Sequence, residues 1–272
     1  MRRGLFFLLL FAIWSTEGRS DGASQLKSLM TGNDSRGWQA VGRLNIGNNS
    51  FCTGSLIAPD LVLTAAHCMF DSDSGERMAD TKIEFLADWR NGRASAYRGV
   101  RRSIVHPDFT FSADNFAARV ANDVALIELD QPIRNSSITP FATRGRLQEG
   151  SEVGVVSYAQ DRADSPSLQE VCHVLARQGG SLVLGCEVDF GSSGAPIFVY
   201  EDGAPRIVSL VSAKAEVRGK PVALGTSLEG PLRDLMAIYA QGDGVFNRPE
   251  PKVRRLSLEA GRNSSGAKFL RP

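Results

Sequence analysis

Apolar residues in this chain gather in short runs rich in β-branched and aliphatic side chains. They fall at Ala40 to Ile46, Gly54 to Ile57, Leu61 to Thr64, Lys82 to Leu86, Val124 to Leu129, Glu152 to Ser157, Ala195 to Val199 and Arg206 to Val211. Turn-forming clusters such as Gly47-Asn48-Asn49, Ala58-Pro59-Asp60 and Glu201-Asp202-Gly203 separate them. Runs of that length between turn signals predict an all-β sandwich or barrel. Helical periodicity is clear in one place, where Leu232, Leu235, Met236 and Tyr239 follow Pro231. A proline suits a first helical turn, so one short helix is expected to close the globular part.

The pattern changes at both ends. Arg2 and Arg3 precede an apolar run from Leu5 to Trp14, and small residues follow between Ser15 and Ser20. That order reads as a secretory signal over residues 1–20, with cleavage near Gly18 or Ser20. The run is too short to span a bilayer, so no stable membrane insertion is expected once it is removed. An uncleaved interfacial helix is the competing reading. From Gln241 the composition turns to Gly, Asn, Pro, Arg and Ser, with a basic cluster at Lys252, Arg254 and Arg255. Residues 241–272 are expected to be a disordered tail, since they offer little apolar surface to bury; docking onto an anionic surface is the alternative.

The 272 residues suffice for one compact β domain or two small packed ones. A formal net charge of +1 removes any broad electrostatic case for nucleic acid and favours small-molecule or peptide partners. Export would make disulfides of the four cysteines. Three pairings are possible, and sequence proximity favours Cys52 with Cys68 and Cys172 with Cys186, each closing a loop worth about 3 kcal/mol. Zinc is disfavoured because Cys-x-x-Cys pairs are absent.

Three segments carry chemistry. Leu61-Val62-Leu63-Thr64-Ala65-Ala66-His67-Cys68 sets a histidine directly after an apolar strand, beside a cysteine that can anchor it. Asn122-Asp123-Val124 puts an acid at the mouth of another apolar strand, where partial burial could hold it against an imidazole N–H. Phe190-Gly191-Ser192-Ser193-Gly194-Ala195-Pro196 flanks a serine with glycines, which allow close backbone approach and unusual torsions. Taken singly, His67 could be a core histidine, Asp123 a cap and Ser193 a turn residue. His106 and His173 lie in no such motif and read as structural.

Together these segments resemble the chymotrypsin-like (trypsin-like) serine protease family. Thr64 to Cys68 matches its histidine motif, Asn122 to Leu126 its aspartate motif, and Gly191 to Pro196 its serine motif, in the family's order. The likeness runs from about Trp38 to Leu235, and Cys52-Thr53-Gly54-Ser55-Leu56-Ile57 resembles the strand leading to the histidine. The resemblance implies two packed six-stranded Greek-key β-barrels: residues 29–140 with His67 and Asp123, and 141–240 with Ser193. It places the Cys52–Cys68 bridge across the catalytic corner. It also implies a secreted or periplasmic serine endopeptidase, a monomer acting on polypeptides without metal or cofactor. In that scheme Ser193 is the nucleophile, His67 the general base, Asp123 its orienting acid, and the N–H groups of Gly191 and Ser193 the oxyanion hole.

The chain departs from the family at Ser192, where most animal members carry an aspartate that pairs with a new N-terminus. A hydroxyl cannot make that ion pair, which moves the resemblance toward the bacterial branch that includes glutamyl endopeptidases. Ala195 stands for a usual glycine. Counting back from Ser193, Glu187 takes the position where trypsin-type members carry the acid that attracts basic side chains. Asp189 and Lys214 also border that region, and an internal Glu187–Lys214 pair is equally open. Ser212 is expected to bind substrate backbone, and Val211 stands where a glutamate-selective member would have histidine. The loop Asp71-Ser72-Asp73-Ser74-Gly75-Glu76 offers carboxylates, but Lys82 stands where a calcium loop needs glutamate, so a polar turn is expected. Asn33, Asn48, Asn135 and Asn263 each begin a glycosylation sequon. The competing function is an inactive protease homologue serving as a binding module; an esterase or acyltransferase with the same triad is a third.

Overall fold

The computed structural model describes residues 22–48, 50–112 and 115–242. The expected signal segment, and the tail beyond Gly242, lie outside these residues. A two-residue strand, β1 (Lys27–Ser28), comes first. Then β2 (Val41–Ile46), β3 (Ser50–Ala58), β4 (Leu61–Thr64), β5 (Ile83–Ala87), β6 (Ala96–Val105) and β7 (Ala125–Leu129) close into a barrel in the order β2-β3-β4-β7-β6-β5. Its strands carry buried apolar runs, such as Leu61, Val62 and Leu63 in β4 and Ala125 to Ile127 in β7.

After a short β8 (Ala142–Thr143), a second ring is built from β9 (Glu152–Ala159), β10 (Arg162–Gln178), β11 (Ser181–Leu184), β12 (Pro196–Glu201), β13 (Ala204–Val217) and β14 (Lys220–Ser227). Their order is β9-β10-β11-β14-β13-β12, and the ring closes because β9 bonds both β10 and β12. β1 lies on β10 and β8 on β13, so the expected pair of six-stranded barrels is present with two short strands added. Closure leaves neither barrel with a long free edge.

Two short helices complete the fold. α1 (Phe116–Ala121) is capped by Asn115, whose side-chain oxygen accepts the Ala118 N–H at 3.1 Å. α2 (Pro231–Gln241) is the expected closing helix, with Pro231 in its first turn. Leu232 and Leu235 are buried, and the Tyr239 carbonyl accepts from Arg102 Nη2 on β6 at 3.1 Å. The C-terminal helix is thus seated on the first barrel.

One buried apolar cluster fills the first barrel and takes in Tyr158, Phe198 and Leu210 from the second; another fills the second ring around Val155, Leu184 and Ile197. The two halves therefore share packed core. Both expected disulfides are formed: Cys52–Cys68 ties β3 to the turn after β4, and Cys172–Cys186 ties β10 to the segment leading toward Ser193.

Candidate active site

β4 is buried along its whole length and delivers the chain through Ala65 into a single 3-10 turn, Ala66–Met69, that carries His67. Its disulfide neighbour Cys68 fixes that turn to β3. Asp123 lies between α1 and β7 and is 2% exposed. Its Oδ1 accepts the His67 backbone N–H at 2.9 Å, and its Oδ2 faces His67 Nδ1 at 2.7 Å. Ser212 Oγ donates to the same Oδ2 from β13. An ionised carboxylate can only accept, so the ring proton belongs on Nδ1 and Nε2 carries the free lone pair. Desolvation pulls the His67 pKa down, but the charge and hydrogen bond of Asp123 outweigh it, and the pKa lies above its ordinary value.

Ser193 occupies the loop between β11 and β12. Asp189 and Ser192 close a turn there: Ser192 N–H donates to the Asp189 carbonyl at 2.9 Å, and Asp189 N–H donates to Ser192 Oγ at 3.3 Å. Ser192 is fully buried and its hydroxyl donates to the Tyr158 carbonyl at 3.2 Å. The Phe190 carbonyl accepts Gln160 N–H at 2.7 Å, and the Ser192 carbonyl accepts Ala195 N–H at 2.9 Å. Carbonyl and N–H point opposite ways across a trans peptide. Those two bonds therefore turn the Gly191 N–H away from Gln160 and the Ser193 N–H away from Ala195.

The first barrel holds this loop through Thr53, whose N–H donates to the Ser193 carbonyl at 2.8 Å and whose hydroxyl donates to the Gly191 carbonyl at 2.9 Å. Gly191 has φ +94°, and a Cβ there would lie 2.4 Å from the Phe51 ring; at Gly194, φ +76°, it would lie 2.4 Å from the Thr53 carbonyl. Both torsions and both contacts demand glycine.

A protein-family model described as trypsin matches residues 31–181. The chain belongs to the trypsin family. The match takes in His67 and Asp123 and ends before Ser193. Similar proteins include the bovine (Bos taurus) suppressor of tumorigenicity 14 protein homolog, 35% identical over 34% of this chain. Coagulation factor IX of Cavia porcellus is 31% identical over 40% of it, and glutamyl endopeptidase of Bacillus licheniformis 25% identical over 54%. The chain spans 10%, 35% and 45% of those relatives' own lengths. A solved structure of a Glu endopeptidase in complex with MPD shares the fold, with a TM-score of 0.66, 18% identity, and coverage of 81% of this chain and 99% of that one.

In this trypsin-family chain two cavities of about 520 Å³ share His67, Phe111, Phe190 and Ser193 in their walls. One continues along Phe51, Cys52, Asp71 and Asp73. The other continues along Asp123, Val188, Asp189, Val211, Ser212 and Lys214. Ser212 and Lys214 therefore line the same cavity as His67 and Ser193. Glu187 is exposed and lines an adjoining cavity with Gln169 that shares Val188, Asp189 and Lys214 with this one, and its N–H donates to Gln169 Oε1 at 2.8 Å. Glu187 does not pair with Lys214, whose Nζ instead meets Asp189 Oδ1 at 3.3 Å. The Gln169 bond fixes the Glu187 backbone against β10, while the Asp189–Ser192 turn brings Asp189 into the wall.

The Asp71 loop is a polar turn in which Oδ1 of Asp71 accepts from the N–H groups of Asp73 and Ser74. Cys52, His67 and Cys68 offer ligand-type atoms within 4.8 Å of one another, but the two sulfurs are bonded to each other and supply no thiolate. The sequence alone does not single out Thr53, Tyr158 or Gln160. The available signal was Thr53, a polar residue directly after the bridging Cys52.

Proposed function

We propose that the chain is an exported serine endopeptidase that cleaves peptide bonds through an acyl-enzyme on Ser193. The observation that carries this reading is the pairing of buried Asp123 with His67 Nδ1, which leaves Nε2 basic in a cavity wall shared with Ser193. Ser193 Oγ would attack the scissile carbonyl carbon while Nε2 takes the hydroxyl proton. The carbonyl oxygen becomes an oxyanion and would accept from the N–H groups of Gly191 and Ser193. One such donor contributes about 3 kcal/mol to lowering the barrier. As the intermediate collapses, the C–N bond breaks and the proton on Nε2 passes to the departing amine. Water, deprotonated by the same nitrogen, then attacks the ester carbonyl, releases the acid product and returns the proton to Ser193 Oγ.

Phe190 and Ser192 have their carbonyls held by backbone partners, so neither donor peptide must reorganise when charge develops. Ser192, neutral and bonded to Tyr158, supports the loop without a cationic chain terminus. The two disulfides fit an oxidising compartment, which supports export. Incubation of the purified mature chain with fluorescein-labelled casein tests the reading. Release of labelled peptides by the wild type, and its fall by about 10⁶-fold in Ser193→Ala, is expected. Equal release by the two proteins would refute Ser193 as nucleophile.

A further inference from the structure

Resting on the peptidase reading above, we infer that Asp189 is a positioning residue that holds the Phe190–Gly191 peptide in the orientation presenting the Gly191 N–H to the oxyanion. Side-chain packing does not hold that peptide, because the Phe190 ring is 77% exposed. Gly191 has no side chain and a positive φ. Two residues of that kind at the centre of a turn leave the peptide between them free to rotate unless hydrogen bonds fix it.

That peptide's own carbonyl is held by Gln160, and its flanks are held by Asp189 on one side and Thr53 on the other. Asp189 Oδ1 accepts the Phe190 N–H at 2.9 Å, immediately before the peptide in question. Its carbonyl accepts from Ser192 N–H and its own N–H donates to Ser192 Oγ, closing the turn at both ends. Beyond the turn, Gln160 N–H holds the Phe190 carbonyl from the end of β9. Lys214 Nζ, at 3.3 Å from the same Oδ1, braces the carboxylate from β13, the strand whose Ser212 also bonds Asp123. The Phe190 N–H, ahead of Lys214, holds the Asp189 carboxyl below its ordinary pKa, so the acceptor stays charged and the bond charge-assisted. Asp189 thus links the cavity wall to the donor peptide, and Lys214 acts through it.

The competing role for a carboxylate in this cavity is to read the charge of a substrate side chain, and substitutions separate the two. Asn keeps an oxygen acceptor at Oδ1 and loses the charge; Glu keeps the charge and moves the acceptor off the Phe190 N–H; Ala loses both. Steady-state kinetics would be measured on a peptide drawn from the casein cleavage products, together with inhibition by the matching peptide aldehyde, whose hemiacetal oxygen occupies the oxyanion position. Asp189→Ala and Asp189→Glu are expected to lower kcat about 10- to 100-fold with KM within about twofold, and to weaken the aldehyde by a similar factor, since full loss of an oxyanion donor costs about 10² to 10³. Asp189→Asn is expected to recover to within about fivefold of wild type. An Asn variant as defective as Ala, a change confined to KM, or an Ala variant equal to wild type overturns the inference. The Glu variant decides the matter if Ala does not fold. A wild type that hydrolyses nothing refutes the peptidase reading instead, so the two failures are distinguishable.

Discussion

At His67 the carboxylate behind the ring decides which nitrogen is basic and how strongly. Only the neutral ring can take a proton from Ser193, and Asp123 raises its pKa above the ordinary value against the opposing desolvation. The value of kcat/KM is therefore expected to climb with pH to a plateau, with a midpoint above the unperturbed value of about 6.5. A midpoint below that would contradict the pairing. Asp123→Asn keeps the shape but reverses the tautomer preference, and is expected to lower kcat by about 10⁴-fold, the magnitude known for this substitution within the family. Ser192→Asp is a second probe. It would bury an unpaired carboxylate at a fully buried position, so a lower thermal midpoint and reduced hydrolysis are expected in the same protein. Legibility at this scale followed contiguity. His67, Asp123 and Ser193 stand inside unbroken motifs, whereas Thr53 meets Gly191 across a separation of 138 residues and the Asp189 carboxylate meets the Phe190 N–H only within the folded turn. Counting residues back from Ser193 does not tell which way each side chain in a turn points, and Glu187 lines the adjoining cavity that shares Asp189 and Lys214.

Among the elements, β4 and β7 were readable because both are buried along their length and mostly apolar, Glu128 in β7 being the charged exception. β6 was not, since Arg98, Arg101 and Arg102 break its apolar pattern. The partner of Arg101 and Arg102 is Glu128 on β7, 8% exposed, which accepts from Arg101 Nη1 at 2.9 Å and Arg102 Nε at 2.6 Å. β10 was not readable either: its register shifts on either side of Ser167–Gln169, and Ser165-Pro166 reads as a turn. Arg102 also reaches the Tyr239 carbonyl, so one cluster joins β6, β7 and α2. Glu128→Ala would remove the carboxylate from both arginines and leave Arg102 only the Tyr239 carbonyl. A loss of about 2–3 kcal/mol is expected by urea unfolding, below the range for fully buried pairs because Arg101 is well exposed. An unchanged midpoint would show that the cluster adds nothing to stability.

Over the whole molecule, two closed barrels contribute unlike parts: the first supplies His67, Asp123 and the Thr53 clamp, and the second supplies the Ser193 loop and Ser212. The barrel pair was anticipated from the resemblance, while short runs and turns alone reached no further than an all-β sandwich or barrel. Ser192 is bonded to Tyr158 and Asp189, and under the proposed function the loop needs no charged chain terminus. Mature chains begun one residue apart near Lys27 are expected to hydrolyse casein equally; activity confined to one start point would contradict this. The central claim is an activated Ser193, and reaction with a fluorophosphonate followed by mass analysis of the labelled peptide tests it most directly. Rapid labelling at Ser193 that is lost in His67→Ala is expected. No labelling of the folded wild type, or labelling at Ser193 that is as fast without His67, would contradict it.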